Sequence, residues 1–515
     1  MQQALAITVV ALCLVSGGLF FPFGRDQGNY AYPAWAWLDG QMPYRDVYVF
    51  KPPATVWVHA LAQLLFGHSM VAVRILDLGW TVATALCITA IVRRWTRSEV
   101  APALSGMLYA FLYANFDFWN TCQTDGWFNL PIAGAILLAT RVWTGESNDR
   151  VLVGAGVLLG LAVAFKYTAV TMALPIGAVL LAAAVRDRQP WRLVRRSSLG
   201  LVGVAAMLGA TAAWLWGNGA MPAFLDSQLG LVPQYVARTG KTNDVAGIFR
   251  MIYDKVSSVV ELQYVFIAAI AGLVAVAARV RGDRRLLLPV AWWVAGMAST
   301  IVQNKFFRYH FLSSLPGAAI LGGLAIAEVI ALVSRWSRLG NLLAGAAMAI
   351  GLFVPSHFPR RWQVAADIAV GKETLEGYWD RRGFDINMMS VSDVMACAAR
   401  IDALTSPEER VFIWGFDPVI NYVAQRKTVS RFLYNYPFAV SWGNPTYESE
   451  LLSALEEDPP ALFIVASKDA TPHATGNPAD SRQLFEAFTG LRTFVETRYG
   501  PPEAVHRYTI YQRKR

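Results

Sequence analysis

The sequence predicts an α-helical polytopic membrane protein with a small α/β domain at its C-terminal end. Three observations carry this: apolar runs of bilayer length recur through the first two thirds, arginine-dense loops fall at every second boundary between them, and the polar tail alternates strand and helix patterns. Of 515 residues, 55% are hydrophobic and only 16% are charged. Soluble domains carry about 25% charged residues.

The apolar runs lie near 5–22, 69–92, 100–115, 126–141, 151–165, 167–185, 198–216, 262–279, 286–302, 311–334 and 340–355. They predict about 11 transmembrane helices, because a hydrocarbon core of about 30 Å is crossed by about 20 helical residues. Shorter runs extend into their loops or tilt among neighbours. The first run lacks a basic leader and a small-x-small cleavage site, so it reads as a retained signal anchor.

Orientation comes from the loops "RRWTR" at 93–97, "RDRQPWRLVRR" at 186–196, "RVRGDRR" at 279–285 and "RWSR" at 335–338. Short arginine-rich loops stay on the cytoplasmic side. The N-terminus is then cytoplasmic and the C-terminal domain extracytoplasmic, that is periplasmic in a cell with an inner membrane. The net charge of +9 belongs to these membrane flanks rather than to one face, so no nucleic-acid partner is expected. The four cysteines are scattered, with Cys13 and Cys87 in apolar runs, Cys122 in an outer loop and Cys397 in the tail. A Cys122–Cys397 bridge is compatible with that compartment, and unpaired thiols are the simpler reading. None of the six histidines has a ligand-spaced partner, so no metal site is expected from spacing.

The chain divides into a transmembrane domain, 1–355, whose first outer loop 23–68 carries the chemistry, and an α/β domain, 356–515. Within that loop, "PATVWVHALAQLLFG" at 53–67 suits an interfacial helix. A second long outer segment, 217–261, is amphipathic enough to cover a cavity. In the tail, 410–415, 428–434, 461–467 and 506–514 read as strands, and 418–426, 448–458 and 481–490 as helices. No nucleotide-binding glycine motif and no internal repeat occur.

The polar residues at the outer boundary are the candidates for chemistry. The first loop sets Arg25, Asp26, Asp39, Arg45, Asp46 and Lys51 among eight aromatic rings between residues 23 and 53. A simple anchor needs nothing of the kind. The second outer loop holds Asp117, Asn120 and Asp125. Lys166 marks a turn between two apolar runs, and Lys305, Arg308 and His310 precede the run at 311–334. Ionisable groups at membrane depth are costly and usually face a functional cavity. Arginine and lysine suit a phosphate, and a neighbouring carboxylate accepts a proton from a nucleophile. Aromatics such as Tyr30, Tyr32, Trp35, Trp37, Tyr44 and Tyr48 suit a sugar or an acceptor.

Each has a plainer reading. Asp26 and Asp125 are also N-cap residues for adjacent helices, and Asp39 before Gly40 reads as a turn residue. Asp46 also orients Arg45 or Lys51. Lys51 and Lys166 also snorkel, although Lys166, Lys305 and Arg308 lie on the side where cations are disfavoured. His310 also fits an ordinary hydrogen-bonded helix position.

The stretch "RDQGNYAYPAWAWLDGQMPYRDVYVFKPP" resembles the first external loop of GT-C glycosyltransferases that use polyprenyl-phosphate sugars, the protein O-mannosyltransferase and lipid A aminoarabinose transferase superfamily. Matching positions are Arg25, Asp26, Tyr30, Gly40, Pro43, Tyr44, Asp46, Lys51, Pro52 and Pro53. "GHSMVAVRILDL" with Arg74, "AFKYTA", "KFFRYHFLSSLP" and "RVFIWGFDPVINYVAQRKTVSRFLY" resemble further family segments, so the likeness spans most of the chain. Gln27 stands where the family commonly has a second acid, which weakens any divalent cation the resemblance implies.

The resemblance implies a GT-C fold and sugar transfer from a polyprenyl-phosphate donor to a lipid, glycan or protein acceptor, with inversion. It implies Asp26 as the residue that contacts or deprotonates the acceptor. Asp125, Tyr30, Asp46 and Tyr44 are the candidates for acceptor or sugar contact. Lys51, Lys166, Lys305, Arg308 and His310 are those for the donor phosphate. The alternative is a transporter or flippase of a lipid-linked or anionic solute, which calls for ionisable groups near mid-helix; a partner-binding scaffold calls for no polar convergence at all.

Overall fold

The computed structural model describes residues 2–333, 358–382 and 389–514. The basic loop at 335–338, the apolar run at 340–355 and the domain boundary at 355 lie outside the described residues. The chain forms two compact units: one of Met1–Phe20, Arg74–Thr211 and Lys241–Lys372, the other of Phe21–Val73, Ala212–Gly240 and Glu373–Arg515.

The first unit is helical. Helices occupy the first ten apolar runs, and among the described residues six are long and apolar enough to cross a membrane: Met70–Trp95, Tyr167–Arg186, Trp191–Gly217, Val260–Arg279, Arg284–Gln303 and Arg308–Val333. Packing relies on small residues, because lipid offers helices no hydrophobic drive to associate. Helices Val151–Phe165 and Trp191–Gly217 meet backbone to backbone: a Cβ on Gly156 would fall 1.9 Å from the Gly200 carbonyl oxygen, and one on Gly203 2.0 Å from that of Val153. No side chain fits at either position.

The bundle of this unit has chemically distinct ends. At one, Arg94 pairs with Glu146 at 2.9 Å, Arg196 with Asp149 at 2.9 Å and with Asp187 at 2.8 Å, while Arg285 lies 4.8 Å from the Trp143 ring. Three arginine-rich loops therefore gather together, as their alternation along the chain requires. The opposite helix ends hold Asp125, Lys166, Gln303 and Arg308.

The second unit joins the first outer loop to the tail. Its loop supplies helices Arg25–Leu38 and Ala54–Phe66, the latter with an exposed edge of Leu61, Leu64, Leu65 and Phe66, as the interfacial reading of 53–67 expects. The tail forms a four-stranded sheet of β1 (Val411–Trp414), β2 (Leu462–Ala466), β3 (Glu503–Val505) and β4 (Tyr508–Gln512), in the order β1-β2-β4-β3. β1 runs parallel to β2, with Val411 opposite Leu462; β4 is antiparallel to both β2 and β3. Every residue of β1 and β2 is buried, which matches their uninterrupted apolar sequence and their parallel pairing.

The expected strand at 428–434 does not form. Its backbone is taken by the first loop instead: the Thr428 N–H donates to the Tyr32 hydroxyl at 2.9 Å, and the Arg431 carbonyl accepts from the Tyr48 N–H at 2.6 Å. Phe432, Leu433 and Tyr434 are buried there, so three consecutive apolar residues fill a core without sheet pairing. The helix Thr489–Arg498 and the short β3 were not anticipated.

Candidate active site

Asp125 anchors the polar cluster of the helical unit. It lies in the first turn of the short helix Thr124–Trp127, whose N-cap is Gln123, so the capping role open to it in sequence is not the one it takes. Its carboxylate, fully buried, meets the Lys166 amine at 2.5 Å and accepts from the Gln303 amide at 3.1 Å. Lys166 reaches it because helix Val151–Phe165 ends there: Lys166 is extended (φ −163°, ψ 128°) before a 3-10 turn begins at Tyr167. The same amine lies 5.5 Å from the Tyr309 ring. Burial of the Asp125 carboxylate strengthens its attraction to the half-buried Lys166 amine and makes loss of that partner costly.

The connection after helix Leu287–Gln303 carries the other expected cations. Asn304 and Phe306 both have φ of +50°, a left-handed conformation that Phe rarely adopts. Lys305 between them is buried at 3% exposure. Burial, and then the nearby charge of Lys241, lowers its amine to about 7. Lys255, on helix Val245–Ser258, is lowered too, by burial and then by Arg308 and Lys241. Arg308 pairs with Glu261 at 3.3 Å and Asp117 at 3.4 Å and stays partly exposed. His310 is buried beside Tyr309, and its backbone carbonyl accepts from Thr300 at 2.9 Å. Asp125, Lys166, Lys305, Arg308 and His310 are thus brought into one helical unit, with Lys241, Lys255 and Gln303 as members that sequence reasoning missed. Lys241 and Lys255 lie in an amphipathic stretch where lysines read as a solvated face.

In the second unit, Asp26 is half-buried in the first turn of helix Arg25–Leu38. It is not the N-cap: Gly24 is, and the buried Gln27 side chain closes the turn by accepting the Gly24 N–H at 3.0 Å. Tyr235 and Tyr434 have phenols raised by burial and further by the Asp26 charge, which puts both close to that carboxylate. Neighbouring Arg25 is buried, donating to Asp417 at 2.8 Å, while the Tyr508 hydroxyl donates to the other oxygen of Asp417 at 3.0 Å. Asp417, in "GFDP", was missed because an Asp before Pro reads as a turn residue.

The remaining first-loop candidates are tied into the loop itself. Tyr30 is buried edge-on to His59, with ring centres 5.5 Å apart. Tyr44, at φ +71°, donates its hydroxyl to the Lys51 carbonyl at 2.6 Å and so fixes the backbone that carries Lys51. The Lys51 amine lies 6.0 Å from the Phe50 ring. Asp46 accepts from Arg45 at 2.8 Å and from the Met42 N–H at 2.7 Å; Arg45, first, holds its carboxyl below the usual range. Asp39 ends helix Arg25–Leu38 and pairs with Lys427.

The first-loop donors a divalent cation would call on are partly engaged within the loop. Gln27 and Asp46 are committed as described, and among the described residues no three His, Cys, Asp or Glu side chains converge.

With this geometry in view, comparison with known proteins becomes informative. Residues 50–216 match the dolichyl-phosphate-mannose-protein mannosyltransferase family. The chain is 30% identical over 227 residues to the polyprenol-phosphate-mannose–protein mannosyltransferase of Mycobacterium tuberculosis, covering 37% of this chain and 44% of that one. It is 29% identical over 170 residues to the undecaprenyl phosphate-alpha-4-amino-4-deoxy-L-arabinose arabinosyl transferase of Edwardsiella ictaluri, covering 32% and 29% of the two chains. The chain therefore spans less than half the length of these curated relatives. Among solved structures, ArnT from Cupriavidus metallidurans bound to undecaprenyl phosphate aligns over 98% of this chain and 97% of its own, with a TM-score of 0.60 at 14% identity. The chain has the GT-C fold. The resemblance drawn from the first-loop motif holds at that level, and the apolar helices together with this fold make a multi-pass membrane protein.

Proposed function

We propose that the protein transfers a sugar from a polyprenyl-phosphate carrier to a lipid, glycan or protein acceptor at the outer face of the cytoplasmic (inner) membrane, with inversion at the anomeric carbon. The observation that carries this reading is the Asp125–Lys166–Gln303 cluster, joined on the same helical unit by Lys305, Arg308 and His310. A cationic cluster at the ends of apolar helices is what a lipid-borne phosphate calls for. The mannosyl- and arabinosyltransferase names of the relatives support the same class.

In this mechanism the acceptor hydroxyl loses its proton to Asp26 as its oxygen bonds to the anomeric carbon. The bond from that carbon to the phosphate oxygen breaks, and the phosphate leaves with the electron pair. Charge that develops on it calls for fixed cations, usually the largest catalytic contribution; the helical unit offers Lys166, Lys305 and Arg308 for this role, and the second unit offers Lys51. Asp125 holds Lys166 and contacts the sugar, and Tyr30, Tyr44 and Asp46 shape the loop that presents Asp26 and Lys51. Orientation follows the arginine-rich loops: about 11 spans, with the N-terminus cytoplasmic, residues 1–355 as the transmembrane domain and 356–515 as an extracytoplasmic one. The test is incubation with polyprenyl-phosphate sugars and an acceptor extract. Release of carrier phosphate in wild type, lost in Asp26→Asn, is expected; normal release in that variant overturns the role of Asp26.

A further inference from the structure

Outside the cationic cluster, the helical unit buries a second polar network. Arg74 and Asp77 stand one turn apart on helix Met70–Trp95, with 3% and 5% exposure. The Arg74 guanidinium donates to the Thr121 hydroxyl at 2.6 Å, to the Cys122 sulfur at 3.2 Å and to the Phe118 carbonyl at 2.9 Å. Tyr113 donates its hydroxyl to the Asp77 carboxylate, at 2.7 and 2.8 Å from its oxygens, and accepts the Cys122 N–H at 3.2 Å. Its ring edge also rests on the next turn, where a Cβ on Gly126 would lie 3.3 Å away.

Two of these bonds end on Cys122 itself, a fully buried residue with φ of +55°, and two more hold Phe118 and Thr121 just before it. A non-glycine residue there is strained and persists only where its surroundings over-determine it. The turn at Cys122 leads through Gln123 into the short helix that carries Asp125. Buried ionisable groups at membrane depth are seldom idle, yet neither Arg74 nor Asp77 touches Lys166, Gln303 or Asp125 among the described bonds.

We propose that Arg74, Asp77 and Tyr113 form a buried anchor that holds the strained turn at Cys122 and thereby aims Asp125 at Lys166. They are positioning residues, and the kinetic part of the claim rests on the transfer reading above. Loss of one anchor bond frees the turn, Asp125 swings off Lys166, and turnover falls while the helices stay packed.

The test uses the full-length protein in nanodiscs, with Tyr113→Phe (one oxygen removed, ring retained) and Arg74→Ala. Maleimide labelling is read at each cysteine by peptide mass spectrometry. Burial shields the Cys122 thiol and raises its pKa, which disfavours the reactive thiolate, so wild type labels slowly there. Buried Cys397 of the other unit reports global unfolding. The expected result is Cys122 labelling faster by about tenfold or more, as for a local opening, with Cys397 unchanged. A fall in kcat of about 10²-fold accompanies it, the scale of a 1 Å misplacement, with KM largely retained. Wild-type protection of Cys122 in both variants overturns the anchor, and so does exposure of Cys122 with unchanged kcat. Where Arg74→Ala exposes Cys397 as well, Tyr113→Phe decides alone. A wild type that transfers no sugar defeats the transfer reading while labelling still decides the anchor; active wild type with unmoved labelling does the reverse.

Discussion

Arg25 precedes the proposed base, and its ion pair with Asp417 offers a way to test how the second unit holds that residue. The pair has a 2.8 Å contact and side-chain exposures of 2% and 0%. Asp417→Ala removes the carboxylate that pairs with the buried Arg25 guanidinium, which also lies 5.3 Å from the Phe416 ring. Breaking a buried pair from one side costs about 3–5 kcal/mol. Arg25→Met strands the carboxylate instead, but the Tyr508 hydroxyl still donates to it at 3.0 Å, so its cost falls near the lower bound, about 3 kcal/mol. The double variant Arg25→Met with Asp417→Leu removes both charges and leaves apolar groups of similar bulk. Such replacements are often neutral, so it returns to within about 1 kcal/mol of wild type and the coupling is about 3 kcal/mol or more. The assay is hydrogen exchange of the β1 and β2 amides in the full chain. A single variant lowers protection by about 10²-fold, since 1.4 kcal/mol is tenfold, and the double variant restores it. Unchanged protection in Asp417→Ala, or a double variant as weak as the sum of the singles, refutes the reasoning.

Further outcomes follow from the same geometry. Lys166→Ala leaves the buried Asp125 carboxylate with the Gln303 amide at 3.1 Å and the Thr124 hydroxyl at 3.4 Å. It should destabilise the helical unit by about 3 kcal/mol, read as a lower thermal midpoint, and abolish transfer. Lys305 carries its charge below about 7 and loses it above, so affinity for a polyprenyl monophosphate should fall as pH rises through that value. Lys305→Met should flatten the profile; an unchanged slope assigns the titration elsewhere. Gly28→Ala would place a Cβ 2.5 Å from a Val419 methyl and 2.8 Å from its backbone nitrogen. Backbone cannot yield as a flexible side chain does, so a cost of about 1–3 kcal/mol is expected, visible as faster exchange in helix Arg25–Leu38.

The sequence made the helices legible because a bilayer demands long apolar runs, and it exposed Lys166 and Arg308 because cations are out of place on that side of a membrane. Asp26 was visible through its motif, and Asp125 through its loop. What stayed hidden depends on distant partners. Asp417 takes its meaning from Arg25, 392 residues away, and Asp77 lay unremarked within an apolar run until Tyr113 appeared beside it. Residues 428–434 carry a strand's composition, yet their backbone bonds to Tyr32 and Tyr48 of the first loop, which no local pattern announces. Gln27 looked like a lost acid and is a helix-capping side chain.

The most direct test of the account is carrier release by purified full-length protein given a panel of polyprenyl-phosphate sugars and candidate acceptors. Wild type is predicted to liberate polyprenyl phosphate from at least one donor in step with sugar appearing on an acceptor, and Asp26→Asn and Asp125→Asn to lose that release while remaining folded. Absence of release from every donor, or full release by both variants, would contradict it.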